Sequence, residues 1–211
     1  MKAKSEYNIF EKCALIEKYR VNAEYSHGST SARKWYRRGI SLARRGAKYD
    51  QKNYEYYYDY GEHDEEYEKK GRLYFERAAL CFRRSAELGN DLAMMNYALY
   101  LYALKKEYAE ALKWFRAASE HGLAVADYEL AVFCKKGCCG MEIDAAKAEE
   151  YFTRYLRLRE SDERQLILSW DVPDDWTVIG RAFMYSWFSG YSFPETYDTP
   201  SARPSRWKYG G

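Results

Sequence analysis

The sequence predicts an all-α fold built from antiparallel helix pairs. Three observations carry that expectation: an internal repeat, alanine and aromatic residues four apart within each copy, and a glycine at a fixed distance beyond them. "AALCFRRSAELGNDLA", beginning at Ala78, and "ALKWFRAASEHGLAVA", beginning at Ala111, both place an aromatic four residues after the first alanine (Phe82, Phe115). A glycine follows seven later (Gly89, Gly122) and an alanine four beyond that (Ala93, Ala126), all at an offset of 33. A third copy, Ala148 to Phe152, stands at an offset of 37 and has Arg159 in place of the glycine. A fourth, "ARKWYRRGISLARRGA", repeats the intervals of 4, 7 and 4 with Ala32, Tyr36, Ala43 and Ala47.

Each copy reads directly as structure. Residues four apart share one face of a helix, and a glycine past the last turn suits the left-handed conformation that ends it. The next alanine opens a second helix, with Tyr97, Ala98 and Leu101 on the core face after Ala93, and Leu130, Ala131 and Cys134 in the same places after Ala126. Small alanines at fixed points let neighbouring helices approach closely.

Residues 109 to 152, "AEALKWFRAASEHGLAVADYELAVFCKKGCCGMEIDAAKAEEYF", resemble the Sel-one-like repeat family, a variable-length relative of the tetratricopeptide repeat. The marks are the Ala, Trp-Phe, Ala-Ala and Gly of one helix, Leu130-Ala131 of the next, Lys136-Gly137, and the run from Asp144 to Ala148. The intervals of 46, 33 and 37 between copies suit this family better than a strict period near 34. The resemblance is specific from Ala78 to Phe152, weaker back to Ala32 and absent after about Leu168. It implies a right-handed α-solenoid, a superhelix of helix pairs with a concave groove, and a function in protein–protein interaction.

Along the chain, residues 1–30 are expected to supply an N-terminal helix, with Ser29 to Ser31 capping the helix that follows. Residues 31–170 hold the repeats, and the tyrosine- and acid-rich stretch from Tyr54 to Lys70 is a repeat carrying an insertion at about 59–71. A short helix is expected from Ser161 to Trp170. Residues 171–189 read as a capping helix, with Trp176, Ile179, Phe183 and Trp187 on one stripe. Residues 190–211, with three prolines, read as an extended tail able to bind back onto the groove of its own array.

Composition narrows the function. With 34 basic and 32 acidic residues the chain is nearly neutral, so no global field draws it to nucleic acid or to an anionic membrane. The start has only four consecutive apolar residues, Cys13 to Ile16, so a cytoplasmic protein with no membrane association is expected. The three histidines have no paired spacing, and no phosphate-cradling glycine loop or nucleophile elbow is present, so neither catalysis nor a cofactor is expected. Cys134, Cys138 and Cys139 could bind zinc or switch with redox state. A fourth ligand is missing, however, and Cys134 sits at a core repeat position, so no metal is expected.

Two surfaces remain as candidate sites. In the "LAMMNYALYLYAL" helix, Met95, Leu99 and Tyr102 lie opposite the assigned core face, and Tyr128, Val132 and Lys135 hold the same places one repeat on. They are the expected lining of the concave groove for a peptide or protein, unless the C-terminal segment buries them. The second surface is basic, formed by Arg33, Lys34, Arg37, Arg38, Arg44 and Arg45. It reads as a solvated face, as a site for an anionic partner such as nucleic acid, or as a mate for the chain's own acidic insertion.

Overall fold

In a computed structural model of the protein, residues 25–168 are described. They are all-α, with no strand among the described residues. The helices are α1 (Thr30–Tyr60), α2 (Glu65–Glu87), α3 (Asp91–Tyr100), α4 (Tyr108–Glu120), α5 (Ala124–Lys136), α6 (Ala145–Ser161) and α7 (Glu163–Leu168). A π-helical turn, Leu101–Lys105, extends α3. Each helix packs against its neighbours in the chain, and α7 also touches α5. The expected N-terminal helix, the capping helix at 171–189 and the tail at 190–211 lie outside the described residues, apart from Tyr25 to Thr30.

The helix ends follow the local chemistry. Ser29 caps α1, its hydroxyl accepting from the Ala32 amide at 3.2 Å. Asp64, Asn90 and Asp144 cap α2, α3 and α6 in the same way, with amide-to-oxygen distances of 2.9, 2.7 and 2.9 Å. The two repeat glycines end helices as expected: Gly89 and Gly122 have φ of 83° and 78°. Beyond each, an amide reaches back five residues, Asn90 to the Ser85 carbonyl at 3.2 Å and Leu123 to the Ala118 carbonyl at 3.1 Å.

The alanine and aromatic positions of all four copies are buried, from Ala32 and Tyr36 to Ala148 and Phe152. Aromatic pairs join successive helices: Tyr36 with Phe82 at 5.8 Å, Phe115 with Phe133 at 5.1 Å, and Tyr128 with Tyr155 at 5.4 Å. Such contacts contribute about 0.5–1.5 kcal/mol each beyond area burial.

One expectation is corrected. The first copy is not a pair of helices, because α1 runs unbroken from Thr30 to Tyr60. Where two of the other copies have a left-handed glycine, Gly89 and Gly122, this one has alanine, the best helix former, followed directly by Arg44 and Arg45. The inserted stretch at 59–71 is accordingly the end of α1, a turn at 61–64 and the start of α2. Gly61, with φ of 77°, makes the turn, and Asn53 Oδ1 accepts from the Asp64 amide at 2.7 Å across it. The tyrosines fasten this end: Tyr49 stacks on Tyr74 at 5.6 Å, and Tyr56 meets Tyr67 edge-on at 6.5 Å.

Glycines set the spacing of the α1–α2 hairpin. A Cβ on Gly39 would lie 2.6 Å from the Phe82 ring, and one on Gly46 would lie 2.9 Å from the Phe75 ring. Seven residues on in α1 thus answer seven residues back in α2. The third member is inverted, since a Cβ on Gly71 of α2 would lie 2.6 Å from Asp50 Oδ1 of α1. Asp50 is buried there, Oδ2 has no hydrogen-bond partner, and burial together with the nearby Glu68 carboxylate raises its pKa to about 8.

Three predictions follow from this packing. Gly39→Ala should destabilise the protein by about 1–3 kcal/mol in urea unfolding through overpacking, overriding the gain of up to about 1 kcal/mol that alanine brings to an exposed helix. Ala111→Leu and Ala148→Leu should each cost about 1–3 kcal/mol, because both alanines are fully buried at helix contacts. Asp50 gives a pH signature. Between the unfolded value of 3.8 and the folded value of about 8, only the unfolded chain releases this proton. Its contribution to stability is therefore present in full below 3.8, falls as pH rises by up to about 1.4 kcal/mol per unit, and is fully lost above about 8. Urea melts from pH 5 to 8 should show a shallower fall for Asp50→Asn than for the wild type.

Candidate interaction surface

The first candidate surface is closed. Met95, Leu99 and Tyr128 are 1%, 0% and 2% exposed, Tyr102 and Val132 are half-buried, and only Lys135 is exposed. Tyr128 packs on Tyr155 at 5.4 Å and Phe152 at 6.5 Å, so it belongs to the α5–α6 core. Tyr102, carried by the π-helical turn, meets Phe133 and Tyr108, each at 5.5 Å. Tyr97, assigned to the core face, is instead half-buried and sits edge-on to Trp114 at 5.6 Å. The six residues therefore do not line an open groove. The physical reason is that α3 is apolar all round and is enclosed on every side, the alternative that such a helix always leaves open.

α7 docks at the N-termini of α3 and α5. Arg164 of α7 pairs with Asp91 of α3 at 2.6 Å and donates through Nε to the Tyr25 carbonyl at 2.9 Å. Both charged residues are buried, at 9% and 3% exposure. Gln165 Oε1 accepts from the Ala124 amide, the first of α5, at 2.9 Å. Asn90, besides capping α3, donates to the His27 carbonyl. A second buried cluster joins α4, α5 and α6: Asp127 accepts from Ser119 Oγ at 2.6 Å and from Arg154 Nε at 2.8 Å. Burial raises the Asp127 carboxyl, and the Arg154 and Ser119 hydrogen bonds offset this in part. Neither Arg164 nor Arg154 was picked out by the sequence pattern, since their partners lie 73 and 27 residues away.

The basic surface is open. Arg33, Lys34, Arg37, Arg38, Arg44 and Arg45 are all exposed on α1, and Lys48 continues the run. Residues 33–48 hold these seven cations and no acid. Among the described residues none of the seven forms an ion pair. Arg38 alone is engaged, lying over the Trp35 ring at 5.6 Å. Elsewhere, several exposed cations sit beside nearby acids: Arg72 with Glu68 at 2.6 Å, Arg83 with Glu87 at 3.1 Å, Lys113 with Glu110 at 2.8 Å and Lys147 with Asp144 at 3.3 Å.

The other half of the hairpin is the reverse. Residues 55–68 carry seven acids and no Lys or Arg. Glu66 and Glu68 pair with Lys70 and Arg72, Asp64 caps α2, and half-buried Glu55 accepts from Gln51 Nε2 at 2.8 Å, so exposed Asp59, Glu62 and Glu65 define the acidic end. On α1 the two signs share a face. Arg33, Arg37, Arg44, Lys48, Glu55 and Asp59 recur at spacings of 4, 7, 4, 7 and 4. This order opposes the helix macrodipole at both ends, with no acid in the first turn and no base in the last. Each misplaced charge near an end costs about 0.3–1 kcal/mol.

The cysteines and histidines lie apart from both surfaces. Cys134 and Cys139 are buried, Cys138 is half-buried, and all three are free thiols that burial pushes upward in pKa. Among the described residues no three His, Cys, Asp or Glu side chains gather as a metal site. His63 stacks on Tyr57 at 4.8 Å, while His27 and His121 are exposed. No helix among the described residues is long and apolar enough to cross a membrane. The chain matches no family model, no curated protein and no solved structure.

Removing one partner of the Arg164–Asp91 pair leaves a buried charge uncompensated. Arg164→Ala should therefore cost about 3–5 kcal/mol in urea unfolding.

Proposed function

We propose that this protein is a non-catalytic interaction module, a right-handed superhelix of Sel-one-like helix pairs that binds a protein partner through the charged face of its long α1–α2 hairpin. The repeat resemblance from Ala78 to Phe152, together with the glycine caps at Gly89 and Gly122, supports the superhelical reading. One observation carries the site: seven exposed cations stand together at 33–48 with no acid between them and no ion pair among the described residues. Like charges three or four apart weaken a helix by about 0.2–0.5 kcal/mol per pair. An acidic partner surface would relieve that cost and gain charge-assisted hydrogen bonds to arginine. The site is thus moved from the groove to the hairpin.

Fluorescence anisotropy with a labelled polyglutamate peptide tests this reading. Binding should weaken steeply as salt rises and be lost in the triple variant Arg33→Glu, Arg37→Glu, Arg44→Glu. Salt-insensitive binding, or binding retained by that variant, would refute it. Nucleic acid is a second reading, favoured by the acid-free stretch of about 22 Å from Arg33 to Lys48 along α1. A DNA duplex bound more tightly than the peptide, with a log–log salt slope of about −0.9 per phosphate neutralised, would select it.

A further inference from the structure

We propose that the chain regulates this face itself: residues 169–176, "SWDVPDDW", lie across the basic end of α1 and must leave before a partner binds. The proposal rests on the reading of α1 as a docking surface and adds what covers that surface in the free protein. Its first basis is the place to which α7 delivers the chain. Arg164 of α7 donates to the Tyr25 carbonyl at 2.9 Å, and Leu168, one turn further along the same helix, is buried. Tyr25 stands five residues ahead of Thr30, where α1 begins. Gly28, between the two, lies against α1, since a Cβ on it would be 3.2 Å from the Ala32 Cβ. The chain beyond Leu168 therefore starts near the N-terminal end of α1, where Arg33, Lys34 and Arg37 are exposed on the first two turns. Extended chain reaches about 11 Å from Leu168 to Asp171 and about 25 Å to Asp175. The basic run it has to cover is about 22 Å long.

The second basis is charge. Residues 165–180 hold three acids, Asp171, Asp174 and Asp175, and neither lysine nor arginine. The face they meet holds seven cations and no acid. The other segments outside the described residues offer no such match: residues 1–24 mix five cations with four acids, and residues 190–211 mix three with two. Trp170 and Trp176 bracket the aspartates, and an indole face is the preferred aromatic seat for a guanidinium. Arg38 already uses Trp35 in this way, at 5.6 Å. Tethering completes the case. A linked segment meets its site at an effective concentration on the order of millimolar, so an intrinsic Kd of about 0.1 mM fills the face roughly nine times in ten. An acidic partner then binds about tenfold more weakly than it would to the uncovered face.

Two measurements on the full chain decide. In dilute wild-type protein at low salt, carbodiimide should join Asp171, Asp174 or Asp175 to the amine of Lys34 or Lys48 within one chain, as read by mass spectrometry of the peptides. The cross-link should disappear at about 0.5 M salt, where the screening length falls to a few ångströms. In fluorescence anisotropy, the variant Asp171→Asn, Asp174→Asn, Asp175→Asn should bind labelled polyglutamate about tenfold more tightly than the wild type. Adding Arg33→Glu, Arg37→Glu and Arg44→Glu to that variant should abolish the binding. Absence of the cross-link within one chain overturns the proposal and needs no variant. Equal affinity of the wild type and the asparagine variant for the peptide overturns it too. If that equal affinity is salt-sensitive, the docking surface stands without its cover; if neither protein binds peptide or DNA duplex, the surface fails as well. A tenfold gain for the duplex in place of the peptide keeps the cover and assigns the face to nucleic acid.

Discussion

The close approach of α1 and α2 at Gly39 and Gly46 is the constraint on which the hairpin and its surface depend. The Phe82 and Phe75 rings occupy the space that side chains at those glycines would fill. In an isolated helix, glycine costs about 1 kcal/mol relative to alanine, and α1 has two of them in its basic half. It also carries charges of the wrong sign for its dipole at both ends. Such a helix does not stand by itself in water, so its 31 residues are held by the face it buries. Aromatic rings set into glycine gaps provide that hold, and they leave the opposite face entirely to charge.

A second node joins the remaining helices. At the start of α3, Asn90 caps the helix and reaches the His27 carbonyl, while Asp91 pairs with Arg164 of α7. Three segments far apart in the chain thus meet at one helix N-terminus, where a carboxylate is already favoured by the dipole. Burying an ion pair is a costly way to join helices, and a well-packed apolar cluster would often be as stable. What the pair adds is a fixed position for α7, because Arg164 satisfies both the Asp91 carboxylate and the Tyr25 carbonyl from one place. α7 thus sits at the N-termini of α3 and α5, with Gln165 capping α5, and Met95, Leu99 and Tyr128 are buried in the packing of the helices. The polar chemistry of the surface then falls to the hairpin.

The two kinds of charge on this protein behave differently. Exposed pairs such as Arg83 with Glu87 and Lys113 with Glu110 contribute no more than about 1 kcal/mol each and neutralise themselves locally. On α1 the charges are segregated instead, so the field extends outward rather than closing on the helix. Segregation costs local stability and gains range, which suits association more than folding.

Much of the local structure was legible in the sequence. Alanine and aromatic residues four apart marked the buried positions of all four copies, and Gly89, Gly122 and Ser29 marked helix ends, because capping and helical periodicity act over a few residues. The exposed basic face was legible for the same reason. Ala43, by contrast, matched the repeat spacing but lacks the glycine that ends a helix, and α1 runs on through it to Tyr60. The groove residues Met95, Leu99 and Tyr128 were beyond reach of pattern, since a helix apolar on every side carries no information about which side is covered. The roles of Gly39 and Gly46 were hidden too, because glycine in a helix reads as a weakness until the ring that fills its gap is known. Asp91 and Arg164 lie 73 residues apart and have no mutual signature. The sequence by itself determined where helices form, where they stop and which positions prefer to be buried. Only the tertiary structure decided which faces meet, because that choice depends on the shapes that distant helices bring to one another.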